Sequence, residues 1–166
     1  MKQVFLFLIV FSNLSFAQNQ DSIQQVINQQ VWYPFIETYG NLDAAGFMDL
    51  HTKDIIRINR DGQSIRIGEA YAESQQRSAF RSKRNGAKRS IAFSFTERFA
   101  SEDHAFEQGY YKVNWENPKH GKGISYGEFQ VILKKVDGQW KIFVDSDTSH
   151  DNQLTEEDFK KGKLLE

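Results

Sequence analysis

"ISYGEFQVILKKVDGQWKIFVDS", residues 124–146, decides how the rest of the chain is read. Phe129, Val131 and Leu133 fall at every second position, the spacing that places side chains on one face of a strand. Asp137-Gly138 is the dipeptide a tight primed turn prefers, and "QWKIFVDS" then runs back along the same ladder. With Val136 opposite Gln139, Trp140, Ile142 and Val144 share the apolar face of Phe129, Val131 and Leu133. Strict alternation gives the other face Glu128, Gln130, Lys141, Asp145 and Asp147. Upstream, "SIAFSFTERFA" (90–100) and "HAFEQGYYKVNW" (104–115) are equally long and aromatic. The C-terminal half therefore predicts an antiparallel meander of four long strands.

Ahead of the meander the spacing changes. Ile23, Val26, Ile27, Val31, Phe35, Ile36 and Tyr39 recur at helical intervals between Asp21 and Tyr39. Pro34 removes one helical hydrogen bond, which predicts a kink or break there. A second helix is expected from Leu42 to His51, capped by Asn41, with Leu42, Phe47, Leu50 and His51 on its buried stripe. "IIRINRDGQSIRIG" (55–68) reads as a hairpin with a primed turn at Asp61-Gly62. Gly68 to Phe80 returns to helical spacing, marked by Tyr71 and Phe80. A short polar helix follows from Thr155. Helices precede strands rather than alternating with them, so the fold class is α+β, with about three helices on one face of a curved antiparallel sheet.

Composition narrows the function classes. The chain has 14 Phe, 3 Trp and no Cys, which points to a large aromatic core and excludes thiol catalysis, zinc–thiolate sites and iron–sulfur clusters. "MKQVFLFLIVFSNLSFAQ" reads as an export signal: Lys2, an apolar run from Val4 to Phe11, and a small-x-small site at Ser15-Phe16-Ala17. That run is shorter than the ~20 residues that span a bilayer, so no membrane span is expected. The expectation is a signal peptide over 1–17, one domain over 18–150 and a polar tail over 151–166, secreted to the periplasm or outside the cell. Losing Lys2 takes the formal charge from −1 to −2, which gives no footprint for nucleic acid. No cofactor is implied.

Three stretches carry a family resemblance. "NLDAAGFMDLHTKDIIRI", "IRIGEAY" and "LKKVDGQWKI" resemble, in that order, the second helix with the first strand, a strand-to-helix step, and the closing hairpin of the nuclear transport factor 2-like superfamily. The SnoaL-like and small secreted members are the nearest in pattern. The resemblance spans residues 23–149 and implies a cone, its sheet curled around the helices with a pocket at the open end. It does not imply a reaction, because one fold of this kind serves many functions. The general-base aspartate of the ketosteroid isomerases falls on Asn59, an amide that cannot accept a proton at neutral pH. Asp61, two residues on, reads as a turn residue. The His–Asp pairing of scytalone dehydratase-like members has only Asp103 and His104 to match it, in an expected turn. No catalytic set carries over.

Several candidate sites remain. Relatives carry His-x-His-x-Ser near the end of the last strand, facing the pocket. Here Asp145, Asp147 and Ser149 take that spacing, with one more residue after the tryptophan. Alternation turns the two acids away from the apolar face; a β-bulge at Phe143 would turn them back, as a pair of pocket carboxylates suited to acid–base work. Asp147, Ser149, Asp151 and Asp158 also take positions 1, 3, 5 and 12 of a calcium loop. Against that reading, Asn152 replaces the turn glycine, and Thr155 with Asp158 makes a capping box needing no ion. Arg77, Arg81, Lys83, Arg84, Lys88 and Arg89 form a basic run that reads as a solvated helix end or an anion patch. Trp32, Tyr39, His51 and Tyr71 come from the elements that would wall the pocket, and are expected either to bind ligand or to pack in the core. The resulting expectation is a domain that binds a small apolar or amphipathic ligand. The alternative is an isomerase, dehydratase or cyclase using Asp145 or Asp147 as base with Tyr39 or His51. The outer face, with Tyr126, Glu128, Gln130, Ile132, Lys134, Lys141 and Phe143, permits a homodimer through the sheet.

Overall fold

The computed structural model describes residues 21–165; the expected export signal lies outside them. Residues 21–27 are α-helical. The helix then loosens into a π turn over Asn28–Trp32, closed by the Tyr33 N–H donating to Asn28 O, and resumes as α1 (Tyr33–Gly40). The loosening falls directly before Pro34, whose missing N–H interrupts the regular ladder. Ile27, Val31 and Trp32 are buried, whereas Val26 is exposed. The second helix is shorter than its sequence suggests: α2 runs over Ala44–Asp49 and is capped by Asp43, which accepts from the Gly46 N–H at 3.1 Å. His51 opens a strand instead of ending that helix.

Strands β1 (His51–Asn59) and β2 (Ser64–Ile67) form the expected hairpin, but not with a two-residue primed turn. Asn59 pairs with Ser64, leaving a four-residue loop with positive φ at Gln63. The Asn59 amide oxygen accepts from the Gly62 N–H, while Asp61 accepts from the Thr148 hydroxyl and the Ser149 N–H. The loop thus follows its contacts with the end of the last long strand rather than the Asp-Gly dipeptide alone. Helix α3 (Glu69–Arg84) buries Tyr71 and Ala79; Phe80 is 68 % exposed, not a core mark.

The meander follows as β3 (Lys88–Ala100), β4 (His104–Asn117), β5 (Gly121–Val136) and β6 (Gln139–Thr148). Val136 pairs with Gln139 across Asp137-Gly138, both with positive φ, as a primed turn requires. After β6 come α4 (Glu156–Phe159) and a last strand, β7 (Lys163–Leu164). The described residues form one sheet in the order β2-β1-β6-β5-β4-β3-β7, antiparallel throughout except where β1 lies parallel to β6. Its concave face holds Phe93, Phe95, Phe129, Val131, Leu133, Trp140 and Ile142 against Ile27, Val31 and Trp32.

The tail is more than a polar helix. Thr155 and Asp158 form the capping box. Glu156 accepts from Lys112 and Tyr126, both at 2.7 Å, residues that alternation puts on the convex face. Phe159 is buried, its carbonyl accepts from the Ser94 hydroxyl at 2.6 Å, and β7 then pairs with β3. The tail therefore covers part of the outer face whose composition permits a sheet-to-sheet dimer. No described helix is long and apolar enough to cross a membrane.

Candidate functional site

A cavity of about 220 Å³ opens between α1, α3 and the concave face of the sheet. Its closed end is aromatic: the Trp32 ring lies 4.7 Å from Phe93 and 5.4 Å from Phe129, and Phe35 stands edge-on to Phe93 at 5.3 Å. Its polar side brings together Arg57 from β1, Tyr111 from β4, and Asp145 and Asp147 from β6, with Tyr39, Tyr71 and Gln75 beside them.

The two aspartates face inward because of one residue. Leu133 pairs with Ile142 but Ile132 pairs with Val144, so Phe143 has no partner on β5. This is the bulge that alternation alone does not call for, and it reverses the side of everything after it. Asp145 then sits opposite Val131 and Asp147 opposite Phe129, on the cavity side. The strict-alternation reading of these acids is overturned. In the parallel neighbour, Arg57 aligns with Asp145 and Asn59 with Asp147, which sets the guanidinium between both carboxylates.

Arg57 Nη2 meets Asp147 Oδ1 at 2.5 Å and Arg57 Nε meets Asp145 Oδ2 at 3.4 Å, while Nη1 donates to Ile58 O at 2.6 Å. The Tyr111 hydroxyl donates to Asp147 Oδ2 at 3.0 Å. Tyr111 reaches there by lying across Gly127: a Cβ on that glycine would come within 2.0 Å of the tyrosine ring. Burial pushes the Asp145 carboxyl above its usual range, with Arg57 drawing it down and Asp147 adding to the rise. Burial would lower Arg57, but Asp145 and then Asp147 hold its charge more strongly, and it ends raised. The hydroxyls of Tyr39, Tyr71 and Tyr111 are all raised, first by burial, and so stay protonated donors.

Of the residues singled out in the sequence, Trp32, Tyr39 and Tyr71 line the cavity and His51 does not. His51 is 4 % exposed and packed against Phe47 and Tyr71, with Nδ1 at 2.8 Å from Phe47 O. It is a packed histidine, and burial drops its pKa to about 4. Trp32 also has a structural partner, as its indole N–H donates to Glu107, a carboxylate fully buried beside Arg98 at 2.8 Å.

Asp103 and His104 pair with each other at an exposed turn, away from the cavity. Asp147 is engaged by Arg57 and Tyr111, and Asp158 by Thr155 and Lys161, so the first and last of the calcium-loop positions are held by protein partners. Among the described residues no three His, Asp or Glu side chains converge as a metal cage. In the basic run, Arg77 pairs with Glu73 at 3.1 Å along α3, and Arg89 stacks on Tyr39 at 3.7 Å from its ring centre.

Arg57, Tyr111, Gln75 and Glu107 were not singled out from the sequence. A signal existed for three of them. Arg57 shares strand parity with the buried Ile55, and Glu107 and Tyr111 share theirs with Ala105, Gly109 and Val113. A charged or phenolic residue on a core-facing parity marks a place where polar groups meet inside.

No family model and no curated protein matches this sequence. Solved structures do. A protein of unknown function from Mycobacterium tuberculosis is 19 % identical with a TM-score of 0.64, covering 84 % of this chain and 78 % of its own. A ketosteroid isomerase-like protein from Erwinia carotovora is 15 % identical with a TM-score of 0.57, over 74 % of this chain and 92 % of its own. An NTF-2 like protein of unknown function from Shewanella oneidensis is 17 % identical with a TM-score of 0.55, over 76 % of this chain and 96 % of its own. Identities this low speak to architecture alone, and with the curved sheet and its helix-filled concave face they establish that this chain has the nuclear transport factor 2-like cone fold.

Proposed function

We propose that the cone binds a small molecule with an apolar body and a polar head, the body against Trp32, Phe35, Phe93 and Phe129 and the head towards Asp145. The observation that carries this is the cavity itself: aromatic walls with a few polar groups gathered on one side, the usual make-up of a ligand site. At about 220 Å³ it falls below the ~300–1,000 Å³ range of drug-sized sites, so the ligand is a single-ring compound. Such compounds are expected to raise the melting temperature saturably, by mass action on the folded state. Val113→Phe, which adds bulk to the lining from a half-buried position, should abolish the shift. No shift with any single-ring compound, or an undiminished shift in the filled variant, defeats the proposal.

A second reading draws on one further observation, the Tyr111–Asp147 pair beside a carboxyl whose pKa burial has raised. Asp145 would take a proton from a carbon next to a carbonyl while a tyrosine hydroxyl donates to the developing oxyanion. Exchange of α-protons of a small cyclic ketone in deuterated water, followed by NMR, is then accelerated by the protein and lost in Asp145→Asn. Exchange at the buffer rate removes this reading and leaves binding untouched.

The setting we propose is extracytoplasmic, with cleavage after Ala17. Its support is the sequence of residues 1–17. The N-terminal residue of protein recovered from the periplasm should be Gln18, and an intact Met1 in that fraction would rule this out.

A further inference from the structure

We infer that the cavity selects a small organic cation, an aromatic or alicyclic ammonium, over neutral and anionic ligands of the same shape. This rests on the binding proposal and deepens it. The polar side of the cavity holds two acids and one guanidinium, an excess of acidic over basic groups, all three side chains mostly shielded from solvent.

The two acids are not equivalent. Asp147 has both oxygens engaged, one by Arg57 at 2.5 Å and the other by Tyr111 at 3.0 Å. Asp145 meets Arg57 only at 3.4 Å, longer than the ~2.7–2.9 Å of a strong charge-assisted hydrogen bond. It keeps acceptor capacity facing the cavity, and an incoming N–H⁺ would satisfy it. Asp147 is the positioning residue that fixes Arg57.

Arg57 is meanwhile unavailable to an anion. Its Nη1 donates to Ile58 O, its Nη2 to Asp147, and its Nε faces Asp145. A carboxylate or phosphate entering would find two acids of like charge beside a guanidinium whose three nitrogens all face protein oxygens already. Arg89, the nearby second cation, lies over the Tyr39 ring, which lines the cavity while Arg89 does not.

The walls point the same way. Trp32, Phe35, Phe93 and Phe129 offer ring faces and edges at 4.7–5.9 Å from one another, and π faces attract cations most when both are desolvated. The tyrosine hydroxyls stay protonated and neutral, so the charge of the site is set by the two acids and Arg57. A bound ammonium would also stabilise the ionised form of Asp145 against its burial.

Calorimetric titration of the mature protein at pH 7 with 2-phenylethylamine, 2-phenylethanol and phenylacetate tests the inference, since the three share one shape and differ in charge. The amine is expected to bind about tenfold tighter than the alcohol, a ratio worth ~1.4 kcal/mol, with phenylacetate weaker still. In Asp145→Asn the amine and the alcohol should bind alike. An alcohol bound as tightly as the amine in the wild-type protein overturns the cation preference and leaves the binding proposal standing. Absence of binding by all three overturns the cation preference, and the melting-temperature test then decides the binding proposal separately. A preference that survives in Asp145→Asn overturns the assignment of Asp145 as the acceptor.

Discussion

Replacing Arg57 with methionine is expected to cost the fold about 3–5 kcal/mol at neutral pH, the usual penalty for removing one partner of a buried ionic group. The side chain is mostly shielded, and it sits between two carboxylates that are themselves mostly shielded. Methionine fills similar volume but leaves Asp145 and Asp147 facing one another with no cation between them. Such a pair lowers its energy by taking up a proton, so the folded-state pKa of Asp145, already raised by burial, rises further. A carboxyl raised on folding contributes fully below its unfolded pKa and loses that contribution as pH climbs through the folded value. The deficit of the variant should therefore shrink as pH falls from 7.5 towards 4.5. Urea unfolding of both proteins at the two pH values measures this. An equal deficit at both would mean that lost packing, not stranded charge, is the cause.

Acidification of the unaltered protein reaches a different group. His51 is buried as a neutral ring, with Nδ1–H directed at Phe47 O and Nε2 without a partner. Burial is the main cause of its depressed pKa, about 4 against an ordinary 6.5. Between those values the unfolded chain holds a proton that the folded chain refuses. The stability that goes with a neutral His51 is thus complete above pH 6.5 and is lost as pH drops to about 4. At ~1.36 kcal/mol per unit the loss is about 3 kcal/mol, a large share of a typical folding free energy. His51→Asn keeps a donor for Phe47 O and removes the titration. Its unfolding free energy should be flatter than that of the wild type over this window, so the difference between the two isolates His51 from the carboxylates. Parallel curves for the two proteins would show that His51 titrates in the fold as it does in water.

Both expectations concern residues whose importance the sequence shows unequally. His51 stood out as a lone histidine near apolar residues, but its role depended on which element it belonged to. As a late helical residue it would have faced the pocket wall; as the first residue of β1 it turns behind Phe47 and Tyr71. Asp43, not Asn41, caps α2, and the helix ends at Asp49 with Leu50 as its C-cap, which leaves His51 to open the strand. Arg57 carried only the weak signal of a charge on a core-facing parity. Its meaning came from β6, far along the chain, which lies parallel to β1 and brings two acids level with it. Glu107 was hidden in the same way: its partners Trp32 and Arg98 come from other elements.

The period of two in residues 90–146, the Asp137-Gly138 turn and the helical spacing before Tyr39 were sufficient for the α+β architecture, because periodicity and turn chemistry are local properties. The aromatic content was likewise sufficient to say what fills the concave face. Which way Asp145 and Asp147 point was not a local property. Alternation is exact only while each residue has a partner, and β6 must satisfy an antiparallel neighbour on one side and a parallel one on the other. The two ladders are met together by leaving Phe143 out of the β5 register, and that single omission, made by tertiary pairing, turns both carboxylates from solvent into the cavity.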